Sequence, residues 1–203
     1  MAGFVFDDKS EHNCTLSSAQ VKAAFNQFNI TCKKVGVFAD TSIEEVLKKY
    51  FDYELDYVQL HGDESIFYCQ ELKEHDVKII KSFFVGDSFC FSNTSAYSFF
   101  CDYFLFDIIG QAEIEKGGKF DWDNLLNYKG KTPYMLSGGI KPEDIDMLKS
   151  LSFPHLAYVD INSAFEFSQG HKDLDLVADF IYRLKRHPDF DKKTSTTKIA
   201  SGY

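Results

Sequence analysis

Short apolar runs and helical stripes alternate along this chain, and that alternation limits the fold more than any other feature. Seven runs read as strands: Ala2-Gly-Phe-Val-Phe, Val35-Gly-Val-Phe, Tyr57-Val-Gln-Leu-His, Val77 to Val85, Tyr103-Phe-Leu-Phe, Tyr134-Met-Leu and Leu156-Ala-Tyr-Val. A helical segment follows each one. Val21, Ala24, Phe25 and Phe28 make the first stripe, and Ile43, Val46, Leu47 and Tyr50 the second, behind a Ser42/Glu45 capping box. Ile66, Cys69 and Leu72 make the third; a short aromatic segment from Ser92 to Cys101 and one holding Trp122, Leu125 and Leu126 come next. Pro142 opens a helix with Ile145, Leu148 and Leu151 on one face, and Leu176, Val177, Phe180, Ile181 and Leu184 form the last stripe. Strict alternation of this kind means a parallel sheet with helices outside it. A doubly wound sheet would have about five or six strands and a topological switch, whereas an eightfold barrel needs eight. The expectation is an α/β TIM (β/α)8-type barrel with seven of its eight βα units in this chain. The first run opens without a lead-in, which places the missing unit before residue 1. The barrel domain is expected over 1–187, N-terminally truncated, with a disordered Lys/Thr/Ser-rich basic tail over 188–203.

Composition narrows the partners. With 203 residues, one sizeable core fits and a second full domain does not. The formal charge of −9 argues against a nucleic-acid partner, because neutralising phosphates needs a basic face. The 21 Phe and 11 Tyr read as core filling. Basic residues gather from Arg183 onward, as expected of a solvated tail. Cysteines 14, 32, 69, 90 and 101 form no CxxC pair and no zinc-ligand spacing; Cys32, Cys69 and Cys101 read as reduced, buried thiols. No signal-peptide pattern and no apolar run approaching about 18 residues is present. A soluble cytoplasmic protein without a membrane partner is expected.

In a barrel of this type, chemistry sits where the strands end. Those ends carry Asp7-Asp8, Asp40, Gln59 and His61, Asp107, Ser137-Gly138-Gly139, and Asp160 with Asn162 and Ser163. The Gly138-Gly139 turn serves either a plain positive-φ reversal or an anion. The small polar loop from Asp160 to Ser163, ending the adjacent strand, tips the balance toward a phosphate cradle. Asp107 emerges from an apolar strand into the mouth. It is either an acid–base group with a pKa raised by desolvation, or a loop cap paired with a lysine such as Lys119. Gln59 and His61 are either substrate contacts or barrel packing. His61 has no partner at ligand spacing, so no metal is expected.

Together VGVFAD (35–40), YVQLHGDE (57–64), FLFD (104–107), GGKFDW (117–122), LSGGIKPED (136–144) and VDINSAFE…GHKD (159–173) resemble the phosphoribosylanthranilate isomerase family of tryptophan biosynthesis, over roughly residues 2 to 186. The resemblance implies a cofactor-free Amadori rearrangement of N-(5-phosphoribosyl)anthranilate to the carboxyphenylamino-deoxyribulose phosphate. A general acid opens the ribose ring to a Schiff base, and a general base then removes the proton at C2. It makes Asp107 the acid, places Gly138, Gly139, Asp160, Asn162 and Ser163 at the phosphate, and places Gln59 and His61 beside the sugar and anthranilate.

Departures accompany the resemblance. The family's base is a cysteine in a Lys-x-Cys-Gly segment of the first strand, which this sequence lacks; Cys14 is the nearest substitute by position. His12 or Glu11 stands where the family has an arginine near the anthranilate carboxylate. Glu115-Lys116 interrupts the glycine-rich run before Phe120, Ala164 replaces a usual glycine, and Gln169 a common proline. An open barrel of seven strands would have two unpaired edges. Aggregation, edge-paired homodimers or a partner supplying the strand are therefore expected. The alternatives to the isomerase are a catalytically inactive, phosphate-binding remnant, or one part of a split enzyme.

Overall fold

The computed structural model describes residues 1–7, 13–86, 88–108, 122–150, 153–168, 171–185 and 200–202. Seven strands follow the sequence runs: β1 (Ala2–Val5), β2 (Lys34–Phe38), β3 (Tyr57–Leu60), β4 (Ile79–Val85), β5 (Tyr103–Ile108), β6 (Tyr134–Ser137) and β7 (Leu156–Ile161). Each pairs in parallel with the next. Glu166–Ser168 (β8) and His171–Lys172 (β9) add a small antiparallel pair beyond the end of β7, which the sequence pattern does not reveal.

The barrel is closed, which corrects the expectation of an open seam. Its order is β1-β10-β7-β6-β5-β4-β3-β2, where β10 is Ala200–Gly202. The backbone of β10 pairs with β1 (Ala2↔Ser201, Gly3↔Gly202) and with β7 (Ala200↔Asp160, Ser201↔Ile161). The physical reason is the edge problem itself. Two strands facing a gap have unpaired N–H and C=O groups, and even a three-residue segment can satisfy some of them. Three residues expected in a disordered tail are thus strand; the rest of 186–203 lies outside the described residues.

Among the described residues five α-helices clothe the barrel: α1 (Ser18–Gln27), α2 (Ile43–Asp52), α3 (Ile66–Glu74), α4 (Ile145–Ser150) and α5 (Leu174–Lys185). Ser17, Ser42 and Ser65 cap the first three through bonds to Gln20 N, Glu45 N and Tyr68 N. A reciprocal capping box closes at Ser17/Gln20. Two of the expected helices are 3-10 segments, Phe91–Phe99 and Trp122–Asn127. Both are dense in aromatic, β-branched or Asn/Ser residues that favour α-helix weakly.

Side-chain alternation along the strands sorts two cores. Outward residues such as Val58, Leu60, Phe104, Phe106, Leu136 and Ile161 pack under the helices and are nearly fully buried. Inward residues form a separate cluster of Met1, Val35, Ile80, Leu105 and Met135. Below that cluster Tyr57, Tyr103 and Tyr158 meet edge to face, with ring centroids 5.8 and 5.4 Å apart. Followed toward the strand ends, the inward series turns polar: Tyr57, Gln59, His61; Tyr103, Leu105, Asp107; Met135, Ser137; Tyr158, Asp160, Asn162. The chemistry-bearing residues are therefore the last members of a period-2 pattern whose earlier members fill the barrel.

Candidate active site

Above the apolar layer lies a cavity of about 270 Å³, with Gln59, His61, Asp107, Ser137, Asp160 and Asn162 in its wall. Of the strand-end positions expected to converge, those at the ends of β3, β5, β6 and β7 do so together with Asp7, whereas Asp40, Gly138, Gly139 and Ser163 are not among the lining residues. Asp40 Oδ1 instead accepts from Asp63 N at 2.8 Å, closing the loop after β3. His12 lies outside the described residues.

His61 sits at the centre of the cluster. Its Nε2 is 3.5 Å from Asp107 Oδ2, its Nδ1 is 3.0 Å from Ser82 Oγ, and Gln59 Nε2 is 3.3 Å from that same Nδ1. Phe84 stands against the ring at 80° with centroids 5.2 Å apart. Ser82 and Phe84 escaped the sequence reading. Both are inward by the same alternation as Ile80, so counting by two along β4 would have found them.

Asp107 shares a register position with Ser137. Burial raises its pKa above the ordinary carboxylate value, and the neighbouring His61 partly offsets that rise. Gly138 has φ +92°, and a Cβ there would stand 2.6 Å from Asp107 Oδ1 and 2.3 Å from Ile108 O. The glycine is thus required twice, for its conformation and for the room Asp107 occupies. Gly139, with φ +61°, has open space on its Cβ side. Lys119 lies outside the described residues, so the alternative pairing of Asp107 rests there.

Asp160 is anchored from the next strand, where Ser137 Oγ donates to its Oδ2 at 3.0 Å. Burial pushes its pKa up to about 7; Asp107 adds to that, while the Ser137 hydrogen bond and the Lys172 ammonium oppose it. Asn162 and Ser163 are exposed at the rim. Asn162 Oδ1 accepts from Lys172 Nζ at 2.7 Å, and Lys172 also donates to Glu166, so a nearly buried cation braces this loop. Lys172 stands within the GHKD stretch, but its role was not legible until the β8–β9 pair was known.

A second buried pair steadies the loop that carries His61. Lys81 Nζ donates to Glu64 Oε2 at 3.0 Å and to Gly62 O at 2.6 Å, and Glu64 Oε1 accepts from Asp40 N at 3.0 Å. Both side chains are nearly inaccessible, at 4% and 2%. Cys14 does not line the cavity; its Sγ faces Leu16 O at 3.9 Å. Among the described residues there is no group of three or more His, Cys, Asp or Glu able to hold a metal, and no helix long and apolar enough to cross a membrane.

Comparison with known proteins bears on this arrangement directly. The family model for N-(5'-phosphoribosyl)anthranilate (PRA) isomerase matches residues 2–183. A protein of that name from Parabacteroides distasonis is 38% identical over 186 residues, covering 92% of this chain and 83% of its own. A solved PRA isomerase in complex with reduced 1-(o-carboxyphenylamino)-1-deoxyribulose 5-phosphate superposes with TM-score 0.73 at 29% identity, covering 90% of this chain and 86% of that one. Monomers generated from the dimeric phosphoribosylanthranilate isomerase of Thermotoga maritima give 0.72 at 28% identity, with the same coverage.

Proposed function

The chain belongs to the N-(5'-phosphoribosyl)anthranilate isomerase family of tryptophan biosynthesis, and we propose that its cavity carries out the aldose-to-ketose rearrangement with Asp107 as general acid. The observation that carries this reading is the Asp107 carboxyl itself. It is held half-buried at the strand ends with its pKa raised, 3.5 Å from His61, in the wall of the cavity.

Asp107 delivers its proton to the ribose ring oxygen while the bond from that oxygen to C1 breaks and the nitrogen lone pair forms C1=N. Loss of the C2 proton then gives the enolamine. Its C2 hydroxyl proton returns to Asp107, and protonation at C1 completes the ketone. Substrate and product are isomers, so no net oxidant or reductant is consumed. Gln59 and His61 border the sugar and anthranilate. Gly138 and Gly139, together with Asn162 and Ser163 at the end of the neighbouring strand, receive the phosphate; the bound product analogue of the solved relative is itself a phosphate ester. A homodimer is a further element of this reading, supported by the dimeric relative.

The test is turnover of phosphoribosylanthranilate generated in situ, followed by loss of its fluorescence. Asp107→Asn should lower kcat by at least about 100-fold, the scale of a lost general acid. Unchanged turnover in that variant would remove Asp107 from the reaction.

A further inference from the structure

Resting on that reading, we propose that Ser82 is a positioning residue for the general acid. Its hydroxyl, with the Gln59 amide, keeps the His61 ring hydrogen on Nε2, so that Asp107 gives its own proton to the substrate and not to the imidazole.

β3, β4 and β5 each aim one polar side chain at the His61 ring. Ser82 Oγ lies 3.0 Å from Nδ1, Gln59 Nε2 lies 3.3 Å from that same atom, and Asp107 Oδ2 lies 3.5 Å from the ring's Nε2. A hydroxyl can donate or accept, but an amide nitrogen only donates. Nδ1 is therefore an acceptor, and Ser82 donates to it alongside Gln59. In the neutral imidazole the hydrogen is then on Nε2, directed at Asp107. A half-turn of the ring would set carbon atoms against Asp107 and against the Ser82 hydroxyl, whose residue is only 4% exposed. That arrangement leaves a buried donor unpaired and is disfavoured.

The surroundings hold the ring in that pose. Phe84, two residues beyond Ser82 on β4, stands at 80° to the imidazole with centroids 5.2 Å apart. His61 N donates to Phe38 O at 2.8 Å, and Lys81 Nζ donates to Gly62 O at 2.6 Å. The tautomer matters because Asp107 has one proton to give. With Nε2 bare, its lone pair would accept the Asp107 O–H, and the proton meant for the ribose oxygen would stay with the histidine. With hydrogen on Nε2, Oδ2 accepts, and the carboxylate left after proton transfer keeps a donor. Ser82 is not in the cavity wall, so it acts through His61 and not on the substrate.

The test is to label the histidine rings of the full chain with heavy nitrogen and record proton–nitrogen correlations by NMR, at about pH 8, where an imidazole is ordinarily neutral. Loss of one signal set in His61→Asn identifies that ring among the six histidines. Wild type should carry the hydrogen on Nε2; hydrogen on Nδ1 would overturn the proposal. Ser82→Thr and Ser82→Val then compare side chains of nearly equal shape that differ by the hydroxyl. Ser82→Thr should keep the wild-type tautomer, while Ser82→Val should show a second population with hydrogen on Nδ1. The kcat of Ser82→Val should lie roughly 3- to 10-fold below that of Ser82→Thr, the scale of one lost hydrogen bond, with KM within about twofold. Equal kcat in the two variants would overturn the proposal. Should the extra methyl keep both from folding, Ser82→Ala is compared with wild type by the same two readouts and the same outcomes decide. A wild type with hydrogen on Nε2 that turns over no phosphoribosylanthranilate would remove the isomerase reading and the role of Ser82 in it, while the tautomer stands. The two failures are thus distinct.

Discussion

His61 Nε2 stands 3.5 Å from Asp107 Oδ2 at the cavity mouth, close enough for the imidazole to act on the carboxyl's charge. A protonated imidazole there favours the Asp107 anion and offsets part of the upward shift that burial imposes. In His61→Asn only burial remains, so the Asp107 pKa should rise further. The alkaline limb of the kcat profile, where the acid loses its proton, should therefore move to higher pH, whatever the change in plateau rate. An alkaline limb that stays in place would mean another group provides that limb.

Gly138→Ala should be far more damaging than its single methyl group suggests. The new Cβ would meet Ile108 O at 2.3 Å and Asp107 Oδ1 at 2.6 Å, at a φ of +92° that alanine resists. A left-handed residue costs about 1–3 kcal/mol, and displacement of Asp107 should reduce kcat by at least about tenfold. Gly139→Ala, with open space at its Cβ position, should pay only the conformational part. Steady-state kinetics beside urea melts would separate the two contributions.

Asp160 predicts a pH dependence of stability. Its folded pKa of about 7 lies above the ordinary value of 3.8, so the folded state binds the extra proton. Its contribution is fully present below about pH 4 and is lost as pH rises through about 7. Asn at this position has no charge to bury. Allowing about half the nominal effect for water in the cavity, Asp160→Asn should melt about 5 °C above wild type at pH 8 and show no advantage at pH 4. Parallel pH-dependent differences in both proteins would mean that Asp160 does not titrate in this range.

Breaking the Lys81–Glu64 pair should be costly, because each partner would leave the other buried and uncompensated. Glu64→Gln or Lys81→Met should lose about 3–5 kcal/mol, while the paired Glu64→Leu/Lys81→Met exchange should lose much less. Denaturant titration of the three variants gives the comparison.

Ser201→Pro tests the closing strand. Ser201 is in register with Ala2 on one side and Ile161 on the other, and proline cannot donate a backbone bond to either. The variant should lose about 1–3 kcal/mol and expose edges that pair between copies, seen as larger species by light scattering. A stable variant of unchanged size would show that this segment adds little to closure.

The strands and most helices were legible in the sequence because barrel staves and their covering helices are both written as apolar periods. Asp107 and His61 were legible too, as polar residues that end an otherwise apolar run. What could not be read was lateral. Lys172 reaches Asn162 only through a small two-stranded pair, and Ser82 reaches His61 across β3 and β4. Asp160 shows the limit most clearly. Its hydrogen bond to Ser137 and its neighbour Asp107 are facts of strand register that sequence spacing does not encode. Ala200–Gly202 likewise has no apolar run to announce it and forms a strand only because two edges wait on either side.

That closing strand also sets the order in which the molecule must assemble. The pairing of Ala2 with Ser201 joins positions almost a full chain length apart, while β2 to β7 each meet a neighbour separated by a few dozen residues. Loop-closure entropy favours the nearer partners first. The sheet should therefore grow stave by stave as a curved, unclosed trough, and the last strand should dock at the end. Until it does, the nascent barrel presents two open edges, and a slow final phase in refolding would mark the moment when they disappear.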